Sequence, residues 1–198
     1  MLDVIYRRRS VRYFKPDPIR REDLTEILRA GMWAPSPKNR QPWRFLVFTG
    51  NAKEKLLAVL AEGIEKSARG KGLLATPEGY IENARFTLRA MVEAPVTVIV
   101  TNPLGRPIRA DWSAAEKINE LSNVQAIGAA AENMALAATA LGIGSLWNGN
   151  IFYAYDELCA FLKEKGEPVL AMSFGYGSRD NLRPLPRKPA KGVIWYEN

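Results

Sequence analysis

The chain contains no histidine and only one cysteine among its 198 residues. Without an imidazole, Ser-His-Asp and Cys-His nucleophile systems are excluded, and most transition-metal sites lose their commonest ligand. Cys159 alone closes no intramolecular disulfide and has no partner ligands for a cysteine metal site. Long hydrophobic runs are missing too. The longest small-apolar stretch, Ala126–Ala140, is broken by Glu132 and Asn133 and falls short of a membrane span. The opening Met1-Leu2-Asp3-Val4 lacks the apolar region of a secretion signal, so a reducing, cytoplasmic setting is expected. Any chemistry must come from carboxylates, amines, hydroxyls or a cofactor that brings its own reactivity.

What is present is an ordinary globular composition, 47% hydrophobic and 25% charged, with no repeat and no linker long enough to split domains. One domain spanning residues 1–198 is expected. The formal net charge of +7 gathers at Arg7–Arg12, at Arg20-Arg21 and from Arg179 through Lys191. Such clusters suit an anionic ligand or nucleic acid, or are simply solvated faces. The C-terminal cluster lacks the interleaved aromatics of a single-strand platform, so no nucleic-acid partner is expected, and no membrane.

Apolar spacing orders the elements. A short helix over about Leu2–Arg8 precedes the break at Lys15-Pro16-Asp17-Pro18. Leu24, Ile27, Leu28 and Gly31 mark a helix with one buried face, ending by Pro35. Phe45–Thr49 reads as a strand, followed by a helix capped by Asn51 that carries Leu56, Leu57, Leu60 and Ile64. Ser67–Gly72 reads as a loop, and Thr76-Pro77-Glu78 as the start of a helix to about Val92. Ala94–Thr101 is the clearest central strand, and Pro103–Trp112 a basic connection. A long buried helix is expected over Ser122–Leu141, stopped by Gly142, its alanines and Gly128 permitting close approach of another helix. A strand at Ser145–Trp147, a helix at Tyr155–Lys165, a strand at Val169–Phe174 and a last strand at Val193–Tyr196 complete the pattern. Periodicity alone leaves α+β and α/β both open.

Two segments carry the chemistry. Arg8-Arg9-Ser10-Val11-Arg12 groups guanidiniums, which grip phosphate in bidentate fashion, with a hydroxyl. Ala34-Pro35-Ser36-Pro37-Lys38-Asn39-Arg40-Gln41-Pro42-Trp43 is a rigid loop whose Asn39 and Gln41 each offer a donor and an acceptor. A solvated basic turn and a plain helix-to-strand loop are the alternative readings. The stretch Gly142-Ile143-Gly144-Ser145-Leu146-Trp147-Asn148-Gly149-Asn150 is glycine-rich, yet it fails as a phosphate-loop or dinucleotide fingerprint.

Together the first two segments resemble the nitroreductase family of FMN enzymes, whose pattern is Arg-x-Ser-x-Arg/Lys followed by Pro-Ser-x-x-Asn-x-Gln-Pro-Trp. The resemblance runs from Tyr6 to about Glu197. It implies an α+β fold, a three-layer α-β-α sandwich with a mostly antiparallel sheet, assembled as a homodimer. It also implies non-covalent FMN, NAD(P)H as electron donor and a small-molecule electron acceptor of nitroaromatic or quinone type, reduced in a ping-pong cycle. By that resemblance Arg8 and Ser10 contact FMN from the phosphate and ribityl side, with Arg9 between the motif positions. Arg12 lies by the flavin N1–C2 carbonyl edge as a tuning residue, with no dedicated catalytic side chain. Pro35, Ser36, Pro37, Asn39 and Gln41 reach the flavin from the other subunit, and the main chain at Asn148 and Gly149 faces flavin N5. Arg187, with Lys188 as alternate, closes on the phosphate.

One departure is Thr87 and Ala90, standing where some members place Asn and Lys, with Arg85 and Arg89 off register. Tyr80, Phe86 and Trp112 are candidates for a substrate pocket. Other flavin chemistry on the same fold (reductive dehalogenation, heterocycle dehydrogenation, flavin fragmentation) and a non-catalytic nucleic-acid-binding or FMN-carrying protein are the alternatives.

Overall fold

The computed structural model describes residues 2–73, 78–163, 165–178, 187 and 196. Six helices flank one four-stranded sheet among these residues: α1 (Leu2–Arg7), α2 (Arg21–Met32), β1 (Arg44–Phe48), α3 (Gly50–Ala68), α4 (Glu78–Glu93), β2 (Val96–Asn102), α5 (Ala114–Ala140), β3 (Gly144–Asn148), α6 (Tyr155–Leu162) and β4 (Glu167–Gly175). The sheet order is β1-β2-β4-β3, and each neighbouring pair is antiparallel. That resolves the choice left open by periodicity in favour of α+β.

Strand β2 is buried at all seven positions, which requires helices on both faces. Val96, Val98 and Val100 join Ile27 of α2 and Ile127, Ala131 and Met134 of α5 on one face. Ile99 joins Leu56 and Leu60 of α3, Met91 of α4 and Leu158 of α6 on the other. The alternation of side chains along a strand therefore assigns two helical layers to one sheet, giving the expected sandwich.

The long helix differs from the sequence reading. It begins at Ala114 rather than Ser122, because Ser113 and Glu116 form a reciprocal capping box. The Ser113 hydroxyl and N–H both meet Glu116, and the carboxyl is held down to about 2 by those bonds and by Arg106. The small residues Ala126, Ala130, Ala131, Ala135 and Ala138 are buried within the subunit, so they serve the sheet and α2. The large exposed residues of α5 are instead Ile118, Leu121 and Val124. Other shifts are smaller: α3 starts at Gly50 and takes in the first two residues of the expected Ser67–Gly72 loop, ending at Ala68, and α6 stops at Leu162, where Lys163 has a positive φ of 55°. The Thr76-Pro77 start and the Val193–Tyr196 strand lie outside the described residues, Tyr196 excepted.

Candidate functional site

The basic segment is seated along an edge of the sheet. Ser10 bridges Ser145 of β3, and the Val11 N–H donates to Ser145 O at 2.9 Å. Beyond the end of β4, Lys15 N donates to Tyr176 O (2.8 Å) and Ser178 N to Tyr13 O (3.0 Å). Val11 and Phe14 are buried with Ala90 of α4, Ala94 just after it and Leu146 of β3, which leaves Ser10 and Arg12 half-buried beside them.

The cations divide. Arg8 Nε pairs with Glu132 of α5 at 3.0 Å. Arg9 donates to Tyr6 O and Arg8 O, closing the end of α1. Arg12 donates only to Ser10 O, at 3.3 Å, and has no carboxylate partner among the described residues. Most of its donors are therefore available to an anion or a polar ring edge.

The turn after β3 is braced by α4. Asn148 is buried, its Nδ2 2.8 Å from Met91 Sδ, and its Oδ1 accepts from Asn150 N at 3.0 Å. Asn150 Nδ2 donates to Thr87 Oγ1 at 2.9 Å. With the Asn148 side chain turned inward, the main chain at Gly149 faces open space: a Cβ there would meet nothing within 4 Å. Thr87 and Ala90, the departures from the family pattern, are thus structural, one bonding the turn and one packing under the basic segment. Arg85 is tied to Glu65 and Glu82, away from this region. Arg89 lies over the Phe86 ring, which meets Tyr13 edge to face.

The proline loop adopts an unusual backbone. Lys38, Asn39 and Gln41 all have φ near +50°, outside the ordinary region for residues with side chains. Ser36 enforces it, its Oγ accepting from Gln41 N (2.9 Å) and its carbonyl from Asn39 N (3.0 Å). Gln41 Nε2 donates to Asn39 Oδ1 at 3.2 Å, and Pro35, Pro37, Asn39 and Gln41 are exposed. Backbone strain of this kind concentrates at functional sites. The loop docks on the first turns of α5, where Arg40 Nη2 donates to Asn119 Oδ1 at 2.9 Å. Arg8 is anchored to the same helix at Glu132, thirteen residues further on, which is about 20 Å along the axis. Within one chain the loop and the basic segment do not meet.

Of the remaining candidates, Arg187 is exposed, and its alternate Lys188 lies outside the described residues. Tyr80 is exposed, whereas Trp112 lines a cavity of about 240 Å³ with Ile108, Val124, Phe152 and Tyr155. Burial pushes the Cys159 thiol up to about 11, so it is no nucleophile at neutral pH. No helix among the described residues is long and apolar enough to cross a membrane.

The sequence matches the profile of the Nitroreductase family over residues 5–176. It is 32% identical over 179 residues to YdjA of Escherichia coli strain K12, a protein named as an NAD(P)H nitroreductase; the match covers 90% of this chain and 81% of that protein. In structure it is similar to a BluB-like flavoprotein from Clostridium difficile 630 (28% identity, TM-score 0.77, covering 100% and 98% of the two chains). It is also similar to a nitroreductase with bound FMN from Bacteroides fragilis NCTC 9343 (27% identity, TM-score 0.69, covering 99% and 98%).

Proposed function

This chain belongs to the nitroreductase family, and from that premise we propose that it is an FMN-dependent NAD(P)H oxidoreductase built as a single domain that works as a homodimer. When bound, FMN would supply electron transfer from NAD(P)H to an electron-poor acceptor of nitroaromatic or quinone type, in a ping-pong sequence. The residues present fit the group. Arg12 offers unneutralised donors, Ser10 a half-buried hydroxyl, and Gly149 an open main-chain face. Thr87 and Glu93, which contact the turn and the basic segment, are six residues apart on α4, about 9 Å along its axis. An elongated ligand with an anionic end and a polar ring matches that separation.

The observation that carries the reading is the distance along α5 between Asn119 and Glu132. A two-fold axis that lays α5 antiparallel to its copy near Gln125 would bring the proline loop of one subunit to the basic segment of the other. Met32 and Trp33 just before that loop, and Ile118 and Leu121 on the first turns of α5, are exposed apolar residues suited to burial against a second subunit. In this reading Pro35, Ser36, Pro37, Asn39 and Gln41 complete the flavin site in trans, and Arg187 closes on the phosphate.

The test begins with the absorbance of the purified protein. Flavin bands that bleach anaerobically with NADH or NADPH, and return with a nitroaromatic or quinone, support the reading. A colourless protein that takes up no added FMN overturns it. Bound flavin that neither cofactor reduces would identify a carrier instead.

A further inference from the structure

We infer that Glu93 is a positioning residue, setting the basic segment at a fixed distance from the turn after β3; the inference rests on the flavin reading above. Most backbone bonds that hold the segment go to β3 and to the chain just beyond β4, namely Val11 N to Ser145 O, Lys15 N to Tyr176 O and Ser178 N to Tyr13 O. One goes elsewhere: Phe14 N donates to Glu93 Oε2 at 2.9 Å, across 79 residues of sequence. Glu93 is the last residue of α4, the helix that holds the turn through Thr87 and Met91. A single helix therefore contacts both halves of the site: Ala90 and Phe86 pack against the basic segment, and the Glu93 carboxylate takes one of its backbone N–H groups.

The far side of that helix end is fixed as well. Lys53, a buried residue of α3, donates its three ammonium hydrogens to the carbonyls of Met91 (3.3 Å), Val92 (2.9 Å) and Ala94. These are the carbonyls that a helix leaves unpaired at its C-terminus, where a positive charge also opposes the helix dipole. Glu93 is thus presented from an immobilised terminus. It makes no ion pair among the described residues, so its carboxylate is committed to Phe14. Because Glu93 is exposed, its truncation leaves no void in the core.

Three variants are compared with the parent by titrating apoprotein with FMN and by measuring the bound flavin's midpoint potential. Glu93→Ala is expected to weaken FMN at least tenfold and to move the potential, with the apoprotein's Tm close to the parent's. Glu93→Gln keeps an acceptor oxygen and should bind within threefold of the parent. Leu158→Ala, a core truncation in α6, should lower Tm without weakening FMN. The inference is overturned if Glu93→Ala binds within threefold of the parent, if Glu93→Gln is as weak as Glu93→Ala, or if Leu158→Ala loses FMN to the same extent. A parent that binds no FMN fails the flavin reading itself, before any variant is compared.

Discussion

Gly144 and Gly175 face each other as register partners between β3 and β4, and neither position has room for a side chain. A Cβ on Gly144 would lie 2.7 Å from Val11 Cγ2, and one on Gly175 would lie 2.6 Å from Pro95 Cδ and 2.9 Å from Phe14 Cδ1. The paired glycines make a notch in the sheet, and Val11 and Phe14 fill it. The ends of the Arg-bearing segment are thereby locked by apolar packing while Arg12 stays between them, half-buried.

Gly175→Ala should therefore displace the segment more than it unfolds the protein. Overpacking of this kind costs about 1–3 kcal/mol. Urea unfolding should register that loss, and FMN titration a weakening of at least the same size. Unchanged FMN affinity would show that the notch serves stability alone.

The two motifs were legible in sequence because their chemistry is local. Guanidiniums and a hydroxyl lie within five residues, and the proline loop carries its own restraints through Ser36. The notch, Glu93 and Lys53 were not legible, because their partners lie tens of residues away and a glycine, a glutamate or a lysine alone signals nothing. The helix core of α5 showed in its buried apolar spacing. Its first two turns did not, because Lys117, Asn119 and Leu121 face outward there, although the Ser113–Glu116 spacing was a readable start signal. The alanines of α5 suggested close approach of another helix, and the buried ones pack against the sheet and α2.

Arg12→Ala should slow flavin reduction more than it weakens FMN binding. In the proposed site the available donors of Arg12 would favour negative charge on the flavin ring edge, which grows only on reduction. The loss is on the order of 1–3 kcal/mol, as for one charge-assisted hydrogen bond. A lowered midpoint potential, partly restored in Arg12→Lys, is the expected signature. An unaltered potential removes the role.

Lys53 gives the fold a pH dependence of defined sign. Burial lowers its pKa from 10.5, opposed by nearby Glu54. Between the lowered folded value and 10.5 the unfolded chain holds the proton more tightly, so stability rises with pH through that window. Below the window both states are charged and the cost of burial is constant. Lys53→Met removes this slope, so the parent's stability relative to the variant should improve as pH rises toward 10.5. Chemical unfolding of both proteins between pH 7 and 10.5 gives the difference, and a difference that falls with pH contradicts the assignment.

Val124→Glu tests the assembly with little disturbance to the subunit. Val124 is 41% exposed, so the new carboxylate meets water in an isolated chain. It lies one residue from the proposed two-fold axis at Gln125, so in a dimer two carboxylates would be desolvated close together, which costs several kcal/mol. The variant should stay folded, dissociate and lose flavin, because the Pro35–Gln41 loop of one subunit would no longer reach the Arg8–Arg12 segment of its partner. Light scattering on a size-exclusion column, with flavin absorbance read across the peak, separates the outcomes. A colourless 22.1 kDa species from a flavin-loaded dimeric parent is expected. A flavin-loaded species of that mass would mean that one subunit builds the whole site, and the strained proline loop would then have to act within its own chain despite the 20 Å of helix between their anchors.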